Sequence, residues 1–145
     1  MRAICATVQK STYLIVTNKS YMAFMPAVIV AAGIAVLSLT EASQIPSIHV
    51  NDKLMHGVMY LFLAGALMGA FVYIGRTRTS YYLLTCALAA LYGAMMELLQ
   101  RFCTLTRSGD ITDLLADFLG TLVGICIVFA ITSLLKKSKH QQSHL

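Results

Sequence analysis

The sequence predicts an all-α membrane protein, a polytopic four-helix bundle with both termini in the cytoplasm. The chain has 145 residues, of which 58% are hydrophobic and only 12% are charged, about half the charged share of a typical soluble domain. Its apolar residues lie in four long runs that do not alternate with polar residues, which favours helices over barrel strands. Its basic residues concentrate at one set of run ends, as the positive-inside rule requires of the cytoplasmic side.

Each run is close to the about 20 residues that a helix needs to cross the hydrocarbon core. The first, 22–39, has no charge and has Pro26 in its first turns, where proline is tolerated. The second, 54–75, contains His56 as its one ionisable group apart from tyrosines. The third, 81–99, carries Glu97 near its end, and the fourth, 114–135, carries Asp117 one turn inside. A cleaved signal peptide is the alternative for the first run, although its length exceeds the about 7–15 residues of a signal core.

We therefore divide the chain into a basic N-terminal cytoplasmic segment, 1–21, a four-helix transmembrane domain, 22–135, and a basic C-terminal tail, 136–145. Eight of the eleven basic residues lie on the cytoplasmic side of this arrangement. Three lie on the outer side, namely Lys53, Arg101 and Arg107. Bases at helix ends are expected near anionic lipid headgroups, so the net charge of +5 indicates no nucleic-acid partner. The four cysteines show no metal spacing and no disulfide pattern.

All six acidic residues fall at or near the outer side, on faces that helical periodicity defines. In the second helix the polar stripe is Asp52, His56 and Tyr60, with Lys53 beside it. In the third helix it is Glu97, Gln100 and Arg101. In the fourth helix it is Asp110, Asp113 and Asp117. Small residues at four-residue spacing predict close helix packing at Gly65 and Gly69, Ala89 and Gly93, and Gly120 and Gly124. On the third and fourth helices these small faces continue into the acids, so we expect the acids to face the bundle interior.

The link at 101–113 has a simpler interpretation as well as a functional one. Asp110 or Thr112 is suited to cap the last helix, and Asp110 and Asp113 are favourable at its N-terminus whether or not they have another role. Asp117 lies too far inside the helix for capping. Arg107 is placed to form an ion pair with one of these acids.

In this order, these residues resemble the VanZ-like family of bacterial membrane proteins over about residues 22–135. The matching positions are Asp52, Lys53, His56, Tyr60, Glu97, Gln100, Arg107, Asp110, Asp113, Asp117, Gly120 and Gly124. At position 117 this chain has Asp where the family more often has Asn. The resemblance implies a protein of the bacterial plasma (inner) membrane, in a family named after a protein linked to teicoplanin resistance. It implies no particular reaction.

Three functions are consistent with this polar outer end. The first is binding of an anionic envelope ligand, which is a membrane lipid headgroup, a lipid-linked cell-wall precursor or a glycopeptide. Its ligand-binding residues are Asp52, Lys53, Tyr60, Gln100, Arg101, Arg107, Asp110 and Asp117. The second is a membrane enzyme acting on a phospholipid or lipid-linked precursor by acid–base chemistry, with catalytic residues His56, Glu97 and Asp113. The third is a purely structural polar network.

The sequence indicates no metal site and no cofactor. It contains no HExxH or CxxC spacing and no glycine-rich phosphate loop. Ser108-Gly109 is expected to form a turn rather than to carry a nucleophile. A channel is not expected from a single chain, because four short-looped helices bury their faces against one another. The ligand's identity and the oligomeric state do not follow from the sequence.

Overall fold

The structure, a computed structural model, describes residues 2–40, 51–103 and 111–142, with side chains for 20–40, 51–103, 111–138, 141 and 142. In these ranges the chain forms four α-helices and no strand, and they are α1 (Arg2–Leu39), α2 (Asp52–Tyr73), α3 (Thr79–Cys103) and α4 (Ile111–Gln142). Each contains a stretch long and apolar enough to cross a membrane, at Ser20–Leu39, Asp52–Tyr73, Thr79–Cys103 and Ile111–Ser138. The predicted all-α fold with four membrane-spanning helices is confirmed.

The first helix differs from its predicted extent. It begins at Arg2, about 20 residues before the apolar run, so Pro26 lies in the helix interior and not in the first turns as expected. A proline there cannot donate a backbone hydrogen bond to the preceding turn, a loss that membrane helices tolerate when neighbouring helices pack against the site. Pro26 lies beside Gly69 and Ala70 of α2, in a shallow apolar groove between the two helices.

The ends of α2 are fixed by local backbone chemistry. Asn51 caps the helix, because its side-chain oxygen accepts a hydrogen bond from the Lys53 backbone N–H at 3.1 Å. At the other end Gly75 adopts a φ of 77°, a left-handed conformation that glycine enters without a steric cost. The N–H groups of Gly75 and Arg76 bond back to the carbonyls of Val72 and Phe71, which is a Schellman ending. Because Asn51 is its N-cap, the helix starts at Asp52, two residues before the predicted apolar run.

The central helix of the arrangement is α2, which contacts α1, α3 and α4. Among the described residues, α1 and α4 do not contact each other. The buried apolar core lies where α1, α2 and α3 meet, and its members are Ile34, Tyr60, Leu63, Ala89 and Met96. Large apolar side chains such as Val28, Phe62, Leu91 and Phe129 cover the outer surface. This surface is suited to lipid, since a soluble protein rarely exposes apolar patches of this size.

Glycines of α4 bring it into direct backbone contact with α2. A Cβ added at Gly120 would overlap the backbone of Gly57, and one added at Gly124 would overlap the carbonyl of Leu61. The predicted close packing at Gly120 and Gly124 is therefore confirmed. A Cβ at Gly124 would also lie 3.2 Å from the backbone nitrogen of Gly65, so the α2 side of the contact includes Gly65, as predicted. It also includes the backbones of Gly57 and Leu61, which were not predicted, whereas the space around the Cβ position of Gly69 is open.

Candidate functional site

One end of the molecule collects the polar side chains, and we call it the site end. It contains the last turns of α1 and α3 and the first turns of α2 and α4. The amide nitrogen of Gln100, in α3, donates to the backbone carbonyl of Ser38, in α1, at 3.1 Å. The ammonium of Lys53, in α2, contacts the carboxylate of Asp113, in α4, at 3.4 Å. These contacts place four helix ends side by side.

Three ionisable residues from three helices meet inside the site end, and we call them the inner cluster: His56 of α2, Glu97 of α3 and Asp117 of α4. One side-chain nitrogen or oxygen from each lies within 4.8 Å of the other two. Nδ1 of His56 lies 3.0 Å from Oδ1 of Asp117. Both residues are buried, with 3% and 2% of their surface exposed. A carboxylate accepts hydrogen bonds and an imidazole N–H donates them, so Asp117 holds the His56 ring in one orientation.

Tyr60 lies one helical turn below His56 and extends the polar face into the membrane interior. Only 1% of its surface is exposed, and its hydroxyl has no hydrogen-bond partner in the part of the chain that the structure describes. The hydroxyl and Oδ2 of Asp117 both approach Gly93 of α3, at 3.3 Å and 3.0 Å from the position that a Cβ would occupy there. Gly93 therefore leaves room for the tyrosine hydroxyl and the carboxylate to lie against the same point on α3.

A second group of charges lies nearer the helix ends, and we call it the rim group: Asp52, Lys53 and Asp113. Lys53 Nζ contacts the Asp113 carboxylate and donates to the hydroxyl of Thr112. The Lys53 side chain is 50% exposed and that of Asp113 is 11% exposed. Asp52 is exposed, and its carboxylate is within 4.8 Å of a ligand atom from both His56 and Asp113. The rim group and the inner cluster are therefore continuous through His56.

The depth of these groups follows from helix geometry. His56 is the fifth residue of α2 and Asp117 is the seventh of α4. With a rise of about 1.5 Å per residue, they lie roughly 6–9 Å inside their helix starts. At that depth an ionisable side chain normally faces a partner or water rather than lipid. The burial of both side chains agrees with this expectation.

The remaining residues from the sequence analysis fall into four groups. Gln100 is buried and bonds to α1, so part of its hydrogen-bonding capacity is used in joining helices. Arg101 is exposed in the last turn of α3. Thr112 is inside α4 and contacts Lys53, so the expectation that it caps the helix is wrong. Arg107 and Asp110 lie outside the described residues.

Sequence reasoning missed the specific partner of His56. Helical spacing placed His56, Glu97 and Asp117 on inward faces but gave no distance between helices, so Glu97 and several aspartates were equivalent candidates. The decisive contact is the close approach of α2 and α4 at Gly57 and Gly120. Gly120, which belongs to a predicted close-packing face, and Gly57, which follows His56 directly, are signals in the sequence that indicate the approach.

The described part of the site end contains four carboxylates, those of Asp52, Glu97, Asp113 and Asp117. Its positive or titratable groups are Lys53, Arg101 and His56. Lys53 already lies against Asp113. The arrangement can hold an imidazole in a fixed orientation for proton transfer. It can also offer one nitrogen and several oxygen ligands to a cation, while its exposed bases are suited to an anionic group.

The chain matches a family of known proteins. The family model described as VanZ/LLP1 matches residues 4–134, a range that includes the inner cluster, the rim group and both glycines of the α2–α4 contact. No curated protein matches the chain at a significant level. No solved structure matches it either.

Proposed function

The chain belongs to the VanZ/LLP1 family, and we propose that it binds an anionic envelope ligand at the site end, as a multi-pass protein of the bacterial plasma membrane. The ligand is the headgroup of a membrane lipid, a lipid-linked cell-wall precursor or a glycopeptide. The observation that most strongly supports a functional site at this end is the meeting of His56, Glu97 and Asp117 from three separate helices. Ionisable groups are costly in membrane spans and are generally kept there for a function.

The distribution of bases supports an outward-facing site with both termini in the cytoplasm. Arg76 and Arg78 lie in the α2–α3 link, and Lys136 and Lys137 lie near the end of α4, all at the end opposite the inner cluster. Basic residues in short loops and near helix ends favour the cytoplasmic side. The site end then faces the outer leaflet, where cell-wall precursors are used.

The exposed cations of the site end, Lys53 and Arg101, are placed to contact the anion. Lys53 keeps half of its side chain accessible, and Arg101 is exposed at the end of α3. Ammonium and guanidinium groups form strong charge-assisted hydrogen bonds with phosphate and carboxylate oxygens. Thr112 and Asp113 hold the Lys53 ammonium at the rim, which reduces the conformational freedom that binding has to remove.

The test is native mass spectrometry of the purified protein in detergent, followed by lipid titration. We expect an anionic lipid or lipid-linked precursor to co-purify with the wild type. The variants Lys53→Ala and Arg101→Ala should each lose most of it. The matched control, Lys137→Ala, removes an exposed lysine at the opposite end of α4 and should retain it. Equal loss in the control, or no anionic lipid on the wild type, contradicts the proposal.

A second candidate function is an acid–base enzyme acting on the same class of lipid, favoured by the 3.0 Å contact between His56 and Asp117. A carboxylate that orients an imidazole is the usual support for a general base or acid. Glu97 lies in the same cluster and supplies a second proton-transfer group. Asp113 lies at the rim, against Lys53, so its role in such an enzyme is to position that lysine.

Turnover separates the enzyme from the binding protein. Incubation of purified protein with membrane lipid extract, analysed by mass spectrometry, yields a new product only for an enzyme. In that case His56→Ala should abolish the product, while the folded Lys137→Ala variant retains it. A product that forms at the full rate with His56→Ala contradicts the acid–base proposal.

A role in glycopeptide resistance is tested in cells. If the bound ligand is a cell-wall precursor or the glycopeptide itself, expression of the wild type should lower susceptibility to teicoplanin. Expression of Lys53→Ala at the same membrane level should not. Equal susceptibility with wild type, variant and empty vector contradicts this part of the proposal.

A further inference from the structure

The inner cluster has the composition of a metal site as well as that of a proton-transfer pair. His56, Glu97 and Asp117 each offer one ligand atom, and the three atoms lie within 4.8 Å of one another. They come from α2, α3 and α4, so no local sequence motif records them. Imidazole nitrogen and carboxylate oxygens are ligands of zinc and of other divalent first-row metals.

The buried Tyr60 hydroxyl is a second, independent feature that indicates a ligand at the inner cluster. A buried hydroxyl normally has a hydrogen-bond partner, yet this one has none within the described ranges. It points at Gly93 at the level of Asp117, with both oxygens near the same Cβ position. A water molecule on a bound cation would donate a hydrogen bond to such an oxygen, and the phenol itself can reach the ion.

We propose that the inner cluster binds one divalent transition-metal ion of the zinc or manganese class, held by His56, Glu97 and Asp117 with Tyr60 at its side. Zinc bonds to nitrogen and oxygen are about 2.0–2.2 Å long, so an ion held by both residues takes the place of the direct hydrogen bond between His56 and Asp117. One protein nitrogen and two carboxylates leave at least one position for water or a ligand, which is the pattern of open rather than structural sites. The ion would add positive charge to this acid-rich pocket, beside the exposed Lys53 and Arg101 that contact the anion.

Metal binding does not rest on the proposed function, because it is measured without any lipid. The rim group provides the internal comparison, since Asp52, His56 and Asp113 form a second set of three ligand atoms within the same distance. His56 belongs to both sets. Carboxylate variants of each set therefore decide which one binds the ion.

The experiment uses the full chain, purified in lipid nanodiscs and stripped with a chelator. Zn²⁺ and Mn²⁺ are titrated separately, with Mg²⁺ for comparison, and bound metal is measured by elemental analysis and by competition with a chromogenic chelator. We expect one equivalent of Zn²⁺ or Mn²⁺ on the wild type. Asp117→Asn and Glu97→Gln should each weaken binding at least about tenfold, as losses around metal sites do. Asp52→Asn should leave the affinity within about threefold of the wild type.

Folding and the role of Tyr60 are followed in parallel. Each variant is heated with and without metal, and an ion that binds the folded state raises the melting temperature. The rise should appear for the wild type and for Asp52→Asn, and should disappear for Asp117→Asn. Tyr60→Phe should weaken metal binding while melting like the metal-free wild type. No stoichiometric metal on folded wild type, or loss of binding in Asp52→Asn with retention in both inner variants, overturns the proposal.

Discussion

Gly120 of α4 lies directly against the backbone of Gly57 of α2, so closely that a methyl group on residue 120 has no room. This contact sets the distance between the two helices that carry His56 and Asp117. Membrane helices gain no hydrophobic drive from meeting one another, and small residues allow the close approach that replaces it. The geometry of the inner cluster therefore depends on the absence of a side chain at Gly120.

We expect Gly120→Ala to destabilise the protein strongly. Overpacking in a well-packed interior costs typically about 1–3 kcal/mol, and here the obstacle is backbone that cannot rotate away. The control is Gly69→Ala, because the space around that Cβ position is open and alanine is up to about 1 kcal/mol better than glycine inside a helix. Gel filtration after stepwise heating reports both melting temperatures. Similar melting of the two variants would show that the α2–α4 contact is not tight.

The buried contact between His56 and Asp117 should appear as an energetic coupling. We expect the free energies of unfolding of His56→Ala, Asp117→Ala and the double variant to deviate from additivity by about 1–3 kcal/mol, within the range for interacting pairs. The measurement is equilibrium unfolding in mixed micelles with a chelator present. His56→Ala combined with Gln141→Ala, an exposed residue far along α4, serves as the control. Additivity of the first pair within about 0.3–0.5 kcal/mol would argue against a coupled pair.

Two tyrosines of the core should respond differently to loss of the hydroxyl. Tyr92 donates to the carbonyl of Ala31 at 2.6 Å, so Tyr92→Phe should lower the free energy of unfolding by about 0.5–1.5 kcal/mol. The Tyr60 hydroxyl is buried without a hydrogen-bond partner among the described residues, so Tyr60→Phe should cost nothing in metal-free protein. Equilibrium unfolding of the two variants side by side checks the contrast. A larger loss in Tyr60→Phe would reverse the assignment.

The contact from Gln100 to the carbonyl of Ser38 joins α3 to the last turn of α1. Gln100→Leu keeps most of the side-chain volume but removes the donor, and we expect it to cost about 1–3 kcal/mol because the contact is buried. Gln141→Ala is the matched control, since Gln141 is exposed. Equal melting temperatures for the two variants would mean that the hydrogen bond contributes nothing measurable.

Orientation in the membrane is tested by cysteine labelling in intact cells. Cys103 is exposed at the end of α3, next to the site end. A variant that retains Cys103 as its single cysteine should react with a membrane-impermeant maleimide. A single cysteine introduced as Arg78→Cys, in the exposed α2–α3 link, should react after the cells are permeabilised and not before. The opposite pattern would place the site end in the cytoplasm.

Sequence alone predicted the four helices because length and apolarity decide whether a segment crosses a membrane. It predicted helix ends less well. The apolar run 54–75 ended within two residues of the end of α2. In contrast, α1 begins about 20 residues before its apolar run, since polar residues before a span can continue a helix without altering the hydropathy signal.

For the contacts between helices, the sequence predicted which face of each helix is buried but not which residues of the neighbouring helix it meets. The seam at Asp113, Asp117, Gly120 and Gly124 is buried as expected, because its spacing fixes one side of α4. On α2 the predicted small face was Gly65 and Gly69, and the contact with α4 includes the backbone of Gly65 but extends to Gly57, which was not predicted. Rotation and crossing of the helices decide how far such a contact extends, and both depend on packing of the whole bundle.

The contact pattern of the helices has a consequence for transport. Helix α2 touches α3 across the middle of the arrangement, while the described parts of α1 and α4 stay apart on opposite sides. Contact between the two helices that separate the other two leaves little room for an axial passage among the described residues. We therefore expect a polar molecule that reaches His56 to be bound or changed at one membrane face rather than carried across.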